Sequence, residues 1–323
     1  MGSKGIPLTL GMASRPSLMA LIDGTVQPEG IDLTCVCDFP EPSTIVRHDR
    51  ILSGELDGGE CSTSYFVEAK LKGAPLLGLP VYPNRSFRHR SIYCRDGAGI
   101  KTAKDLKGKR VGLHVYAAST MMWVRGILRD EYGVSPQDIK WYTLMDRGAE
   151  GAKKSGVSIE LIPSAGKGFD FNEFIAQMIE RGELDAGVGP VNIVRPGISR
   201  LFSNFAQVER EYYLRTGIYP IIHTMVINER VVRDTPWVPQ ALLDAFRKAA
   251  TYTPQYAAAA KGNLEQGDKE IWEQDRPILG GDDPYAWVLG PKERKAFEAF
   301  LDYLVLDRLI TDKPSVDSLF VVT

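Results

Sequence analysis

Asp105-Leu-Lys-Gly-Lys-Arg-Val-Gly-Leu-His-Val-Tyr-Ala-Ala-Ser-Thr-Met-Met-Trp-Val-Arg-Gly-Ile-Leu128 is the stretch on which the fold turns. It reads as a turn at Lys107–Lys109, a short strand at Arg110–His114, a loop of small residues and a helix opening near Ser119. Serine and threonine favour helix N-caps, and the open N–H groups of a first turn attract anions. The pattern therefore has two readings: a carboxylate or phosphate site, or an ordinary strand–helix unit with no ligand.

Outward from this stretch, helices and strands alternate. Pro7–Met12, the segment ending at Cys37, and Pro75–Val81 read as strands. Thr44–Leu52, Tyr65–Lys72 and Phe174–Arg181 read as helices. Gly54-Glu-Leu-Asp57 and Gly182-Glu-Leu-Asp185 each follow a helix and precede a short strand of small residues. This echo suggests two similar α/β lobes with largely parallel sheets, whose ligand sites lie at the carboxyl ends of strands. The segments Phe87–Cys94 and Thr216–Ile227 read as extended crossings between lobes. The expected division is residues 1–96 and 201–323 in one lobe, with 97–200 inserted as the other. Pro236-Trp237 opens a helix through Ala250, Tyr252–Lys261 continues helical, and Arg294–Leu306 is amphipathic with Phe297, Phe300, Leu301 and Leu304 inward.

The chain has 323 residues, 44% of them apolar and 25% charged, with a formal charge of −2. That length fits two domains, and that charge offers nothing to nucleic acid or an acidic membrane. No apolar run reaches the roughly 20 residues of a membrane span. Met1–Pro7 lacks a hydrophobic signal core, so a cytoplasmic protein is expected. Cys35, Cys37, Cys61 and Cys94 have no CxxC or zinc spacing and read as free thiols. There is no P-loop, the run Ser164–Gly168 being only a passing likeness. GxGxxG, GxSxG and HExxH are also absent, which sets aside nucleotide, serine-hydrolase and zinc-protease chemistry.

The polar residues of the crossings are the better lead. Arg85, Arg88, His89 and Arg90 lie in or beside the first, and His223 lies in the second. On strands, alternate side chains share a face. His89 and His223 could then face a common ligand beside Glu60 and the helix starts at Ser62–Ser64 and Ala118–Thr120. Arginine binds carboxylates bidentately and histidine moves protons near neutral pH. The bland alternative is solvated arginines and hydrogen-bonded filler histidines.

At these residues the chain resembles the 4,5-dihydroxyphthalate decarboxylases. The signposts are Leu21-Ile-Asp-Gly-Thr-Val-Gln-Pro-Glu-Gly-Ile-Asp32, Phe87-Arg-His89, Asp105–Gly112, Trp123–Leu128, Asp130-Glu-Tyr-Gly133 and Thr216–His223. The resemblance implies an α/β two-lobed fold like the type II periplasmic binding proteins, with an inter-lobe cleft and two crossing hinge strands. It implies a carboxy-lyase acting on a small hydroxylated aromatic dicarboxylate, 4,5-dihydroxyphthalate or a close analogue. One departure is Val115, which stands where the family pattern places a glutamate, so another aromatic acid is an open substrate.

Loosening a phenolic proton para to a carboxylate enriches the ring carbon that bears it. Protonation there lets CO2 leave, and the ring stores the electrons without a cofactor. The expected proton donor is His89 or His223, with Glu60 on the phenol side. The expected substrate contacts are Arg15, Ser62, Ser64, Arg85, Arg88, Tyr116, Ser119 and Thr120. No cofactor is expected; a divalent metal on His89, His223 and Glu60 is the lesser alternative. A homo-oligomer is compatible with the sequence. The rival reading is a solute-binding protein for an aromatic or other carboxylate.

Overall fold

The computed structural model describes residues 5–40, 43–162, 170–189, 192–260, 268 and 270–321. The Ser164–Gly168 run and the end of the Tyr252–Lys261 helix lie outside them. In chain order come β1 (Ile6–Gly11), α1 (Met19–Ile22), β2 (Ile31–Val36), α2 (Ser43–Leu52), β3 (Gly58–Ser62) and α3 (Thr63–Leu71). There follow β4 (Leu76–Gly78), β5 (Asn84–Arg85), β6 (Ile92–Arg95), β7 (Arg110–Val115), α4 (Ser119–Tyr132) and β8 (Lys140–Met145). Then come α5 (Ala149–Lys154), β9 (Ser158–Leu161), α6 (Phe171–Glu180), β10 (Ala186–Val188), β11 (Ile198–Arg200), α7 (Phe205–Thr216) and β12 (Ile221–Asn228).

Two compact units result. The first holds Met1–Ser86, Ile221–Arg294 and Pro314–Thr323; the second holds Phe87–Pro220 and Lys295–Lys313. The second unit thus takes more chain than the expected 97–200 insert. Strand β6 pairs with β10 and β11, which draws residues 92–95 into the second sheet. The chain leaves the first unit after Ser86 and re-enters at Ile221, within or beside the two expected crossings, and makes a further excursion over Lys295–Lys313.

The sheet of the first unit runs β2-β1-β3-β12-β4, with β5 also on β12. That of the second runs β11-β6-β10-β7-β8-β9. In each, a central short strand lies parallel to one neighbour and antiparallel to the other: β3 between β1 and β12, β10 between β7 and β6. The sequence echo is the hinge of this likeness. Gly54 and Gly182 both take a positive φ, 78° and 72°, just past their helices, a conformation glycine adopts at little cost. Leu56 and Leu184 are buried. Asp57 accepts the backbone N–H of Thr9 at 2.8 Å, and Asp185 accepts that of Arg110 at 3.0 Å. Each aspartate also pairs with an arginine, Arg230 and Arg110 respectively. The registers then match, Gly11 against Gly59 and Gly112 against Gly187.

The glycines of β3 have a steric reason. A Cβ on Gly58 would meet the Val226 carbonyl oxygen at 2.2 Å, and one on Gly59 would meet that of Gly11 at 2.2 Å. Only glycines let β3 lie this close to both neighbours. The next residue is Glu60, so the close approach delivers a carboxylate to the end of β1. In the second unit, Phe297, Phe300, Leu301 and Leu304 of the Pro291–Leu306 helix are buried, and Trp123 of α4 stacks on Phe300 at 5.3 Å.

Candidate functional site

Glu60 is wholly buried in the first unit. Its Oε1 accepts from Arg15 Nε at 3.0 Å and Nη2 at 2.9 Å, and its Oε2 accepts the Ala13 backbone N–H at 3.1 Å. Arg15 and Ala13 belong to the loop that leaves β1, and Arg47 of α2 adds its guanidinium at 3.8 Å. On the neighbouring strand, His223 lies opposite Ser62 in the β12–β3 register, two pairs away from Glu60. Its Nδ1 is 2.5 Å from Glu60 Oε1.

The electrostatics assign the protons. Burial would raise the Glu60 pKa, but Arg15, Arg47 and the His223 hydrogen bond hold it well below the usual carboxylate range. For His223, burial pushes the pKa down; the pull of Glu60 opposes this, and Arg15 and Arg47 add to it. The resting pair is therefore an ionised Glu60 and a neutral imidazole. Nδ1–H donates to Glu60 and the Nε2 lone pair is left for chemistry. A carboxylate fixing the tautomer of a histidine is a recurrent way to ready it for proton transfer.

Three members of this group had no sequence signal strong enough to single them out. Arg47 also donates through Nε to the Glu60 carbonyl at 3.2 Å. His48 accepts the Ser62 backbone N–H on Nε2 at 3.2 Å, and its ring packs edge-on to His223 with centroids 5.3 Å apart. Asp268 meets Arg15 Nη1 at 3.3 Å. Two adjacent titratable residues close to Ile51, on the buried side of α2, were the one available hint.

The other expected residues are distributed as follows. Ser62 caps α3 without a side-chain bond to its turn, and its hydroxyl lies 3.1 Å from that of Ser64. Arg85 pairs with Glu293 at 3.1 Å. The remaining ones belong to the second unit. Phe87–Cys94 is no continuous strand, because His89–Ser91 forms a 3-10 turn. Glu209 imposes it, accepting both the Arg90 backbone N–H at 3.0 Å and the Arg90 guanidinium. The alternating-face argument for Arg88 and His89 therefore fails. Arg88 caps that turn and contacts Ser91 at 3.4 Å.

His89 is buried, ringed edge-on by Tyr132, Phe202 and Tyr212, and neither ring nitrogen has a partner among the described residues. Burial, then Arg90 and Arg215, push its pKa down to about 3. Tyr116 is buried under the Arg125 guanidinium, 3.5 Å from its ring centre. Ser119 and Thr120 open α4 and are buried. Among the described residues no three His, Cys, Asp or Glu side chains are grouped as metal ligands. His89, named in the metal alternative, belongs to a different unit from His223 and Glu60. The four cysteines are free, and no described helix is long and apolar enough to cross a membrane.

Solved structures define the class. The chain is similar to the periplasmic aliphatic sulphonate binding protein SsuA from Escherichia coli, with a TM-score of 0.57 at 16% identity, over 98% of this chain and 92% of that one. The fold is thus the two-lobed α/β fold of the type II periplasmic binding proteins. Residues 16–151 match the NMT1/THI5 like family model. Within that class the relatives are specific. A 4,5-dihydroxyphthalate decarboxylase of Comamonas testosteroni is 31% identical over 253 residues, 75% of this chain and 74% of that protein. A second, of Pseudomonas putida, is 33% identical over 192 residues, 57% of this chain and 70% of its own. The chain belongs to the 4,5-dihydroxyphthalate decarboxylase family.

Proposed function

We propose that this protein is a carboxy-lyase that converts 4,5-dihydroxyphthalate to 3,4-dihydroxybenzoate and CO2, with His223 as the proton donor. The observation that carries the reading is the Glu60–His223 contact, 2.5 Å between a carboxylate whose pKa is held well below its usual range and a histidine. The reaction replaces one carboxylate by a hydrogen and consumes one proton per turnover.

In this reading the dianionic substrate raises the pKa of neutral His223, because added negative charge favours the imidazolium. The imidazolium then passes its Nε2 proton to the ring carbon bearing the carboxylate. The C–C bond breaks, its electron pair restores the aromatic ring, and CO2 departs. Glu60 supports the cation. It does not touch the phenol, being wholly buried and already accepting from Arg15, Ala13 and His223. Arg15 holds a substrate carboxylate, with Ser62 and Ser64 at the start of α3 beside it. His89 is assigned a packing role in its own unit, which narrows the pair of candidate donors to His223.

A pure solute-binding role has no use for a buried histidine oriented by a carboxylate. CO2 release from 4,5-dihydroxyphthalate, with and without a chelator, tests the reading, alongside phthalate binding by His223→Ala. The expected result is turnover by the native protein, and a variant that binds phthalate but loses about 10²–10⁴-fold in kcat. Normal turnover by His223→Ala defeats the assignment.

A further inference from the structure

We propose that His48 is a positioning residue for the proton donor: by accepting the Ser62 N–H it fixes the strand position against which His223 is registered. The inference rests on His223 being the acid of the proposed reaction.

His48 fills a gap in the ladder. The register of β1 on β3 ends at Gly11–Gly59. Two residues on, the Ala13 N–H leaves the ladder for the Glu60 carboxylate. In a regular parallel pair, the residue at that place would donate to the Glu60 carbonyl and accept from the Ser62 N–H. Helix α2 supplies both instead: Arg47 Nε donates to the Glu60 carbonyl at 3.2 Å, and His48 Nε2 accepts the Ser62 N–H at 3.2 Å. Accepting on Nε2 puts the ring hydrogen on Nδ1 and keeps this imidazole neutral. Ser62 is the partner of His223 in the β12–β3 register, and the two imidazoles also pack edge-on, 5.3 Å between centroids.

The repeated scaffold separates this histidine from what sheet building requires. Helices α2 and α6 correspond residue for residue, each ending two positions before the glycine of its echo, Gly54 and Gly182. Their packing agrees. A Cβ on Gly59 would meet Ile51, and one on Gly187 would meet Ile179; a Cβ on Gly11 would meet Arg47, and one on Gly112 would meet Ile175. By the same count His48 answers to Ala176, a buried residue with nothing to accept a hydrogen bond. Ser62 answers in sequence to Pro190, which has no N–H to offer. The acceptor on the helix thus accompanies the strand that carries Glu60 and faces His223. Its worth lies in placement, because a donor misplaced by about 1 Å loses about 10²-fold in rate.

The test compares His48→Phe, which keeps a ring without an acceptor, with His48→Gln, whose amide oxygen lies as many bonds from the backbone as Nε2. Both are assayed for CO2 release from 4,5-dihydroxyphthalate per folded molecule, and for binding of phthalate, which has both carboxylates but no hydroxyls. His48→Phe is expected to lose about 10²-fold in kcat with phthalate affinity within about threefold, and His48→Gln to recover most of that loss. A merely structural histidine would lower the melting temperature and leave kcat alone. A His48→Phe kcat within about threefold of native overturns the proposal, as does an equal loss in both variants or a loss confined to phthalate binding. Should His48→Phe not fold, nitrogen-15 NMR of the histidines in the native protein decides. The chain has four, and His48 is assigned by its absence from His48→Gln. A bare Nε2 is expected, and a proton on Nε2 overturns the proposal. Failure of the native protein to release CO2 would instead sink the decarboxylase reading. The His223 Nδ1–H signal would still judge His48: loss from His48→Phe with retention in His48→Gln is expected, and persistence in both overturns the proposal.

Discussion

Replacing Glu60 by glutamine separates what this carboxylate does for the fold from what it does for chemistry. The side chain is wholly buried, and its ionic partners Arg15, Arg47 and His223 are no more than 10% exposed. Solvent screening therefore does little to soften the loss. Breaking a buried pair by removing one charge typically costs about 3–5 kcal/mol, a large part of the roughly 5–15 kcal/mol that holds a domain folded. For the chemistry, opposite charges about 4 Å apart interact by about 4 kcal/mol at an effective dielectric of about 20. Arg15 and Arg47 remain and oppose a positive charge on His223, so Glu60→Gln disfavours the imidazolium that the substrate-bound state requires. A kcat loss of about 10²–10⁴-fold is expected, the usual contribution of a placed acid. The assay is CO2 release against pH at temperatures where the variant is folded. In the native free enzyme the His223 pKa already lies below its ordinary value, so kcat/KM falls as pH rises above it. In Glu60→Gln that fall begins at lower pH. A folded variant with kcat within threefold of native and an unmoved pH profile refutes the reasoning.

Two further outcomes test the second unit. His89, with its folded pKa depressed to about 3, is neutral in the fold and binds a proton more readily when unfolded. Its contribution to stability is therefore complete above its unfolded value and is lost as pH falls from about 6.5 toward 3, by about 1.4 kcal/mol per unit at most. His89→Phe should flatten the acid limb of a denaturation series by close to one proton and leave turnover per folded molecule within a few-fold; a collapse of kcat would return His89 to the active site. Gly126→Ala should destabilise by about 1–3 kcal/mol through overpacking, despite the better helix propensity of alanine. A Cβ there meets the Tyr303 ring at 2.1 Å, and that ring is tied to Asp130 at 2.8 Å. Unchanged melting of Gly126→Ala would mean the ring moves aside.

The sequence made the scaffold legible and the site only half so. Arg110–His114 as strand and Ser119 as helix start follow from local pattern, and strand β7 and helix α4 begin at those residues. The Gly-Glu-Leu-Asp echo was readable because the glycine, leucine and aspartate each meet a backbone need that recurs wherever this unit is built. Glu60 and His223 were nameable because titratable groups on interior strands invite a purpose. Their pairing through Nδ1 was not, since it depends on the β12–β3 register, which no local signal sets. His89 misled for a related reason: period-two alternation requires a strand, and a buried Glu209 from 119 residues away winds that segment into a turn. Asp268 had no signal at all, because only tertiary packing carries it to Arg15.

The repeated scaffold also indicates where chemistry was added. Matching Gly11 with Gly112 and Gly59 with Gly187 makes Glu60 the counterpart of Val188. The antiparallel partners follow: Met225 opposite Glu60 answers to Ile92 opposite Val188. Two residues back along the chain, His223 stands where Arg90 does, in the turn that precedes β6. One copy carries an acid and a histidine in contact; the other carries a valine and an arginine neutralised by Glu209. Glycines and aspartates that both copies share build the sheets, so substituting Asp57 or Asp185 is a folding experiment. Glu60 takes one backbone N–H, that of Ala13, which a neutral acceptor could equally take. An ionised carboxylate buried against two arginines, where its counterpart manages with an aliphatic side chain, is costly to bury, and that cost is explained by what it does to His223.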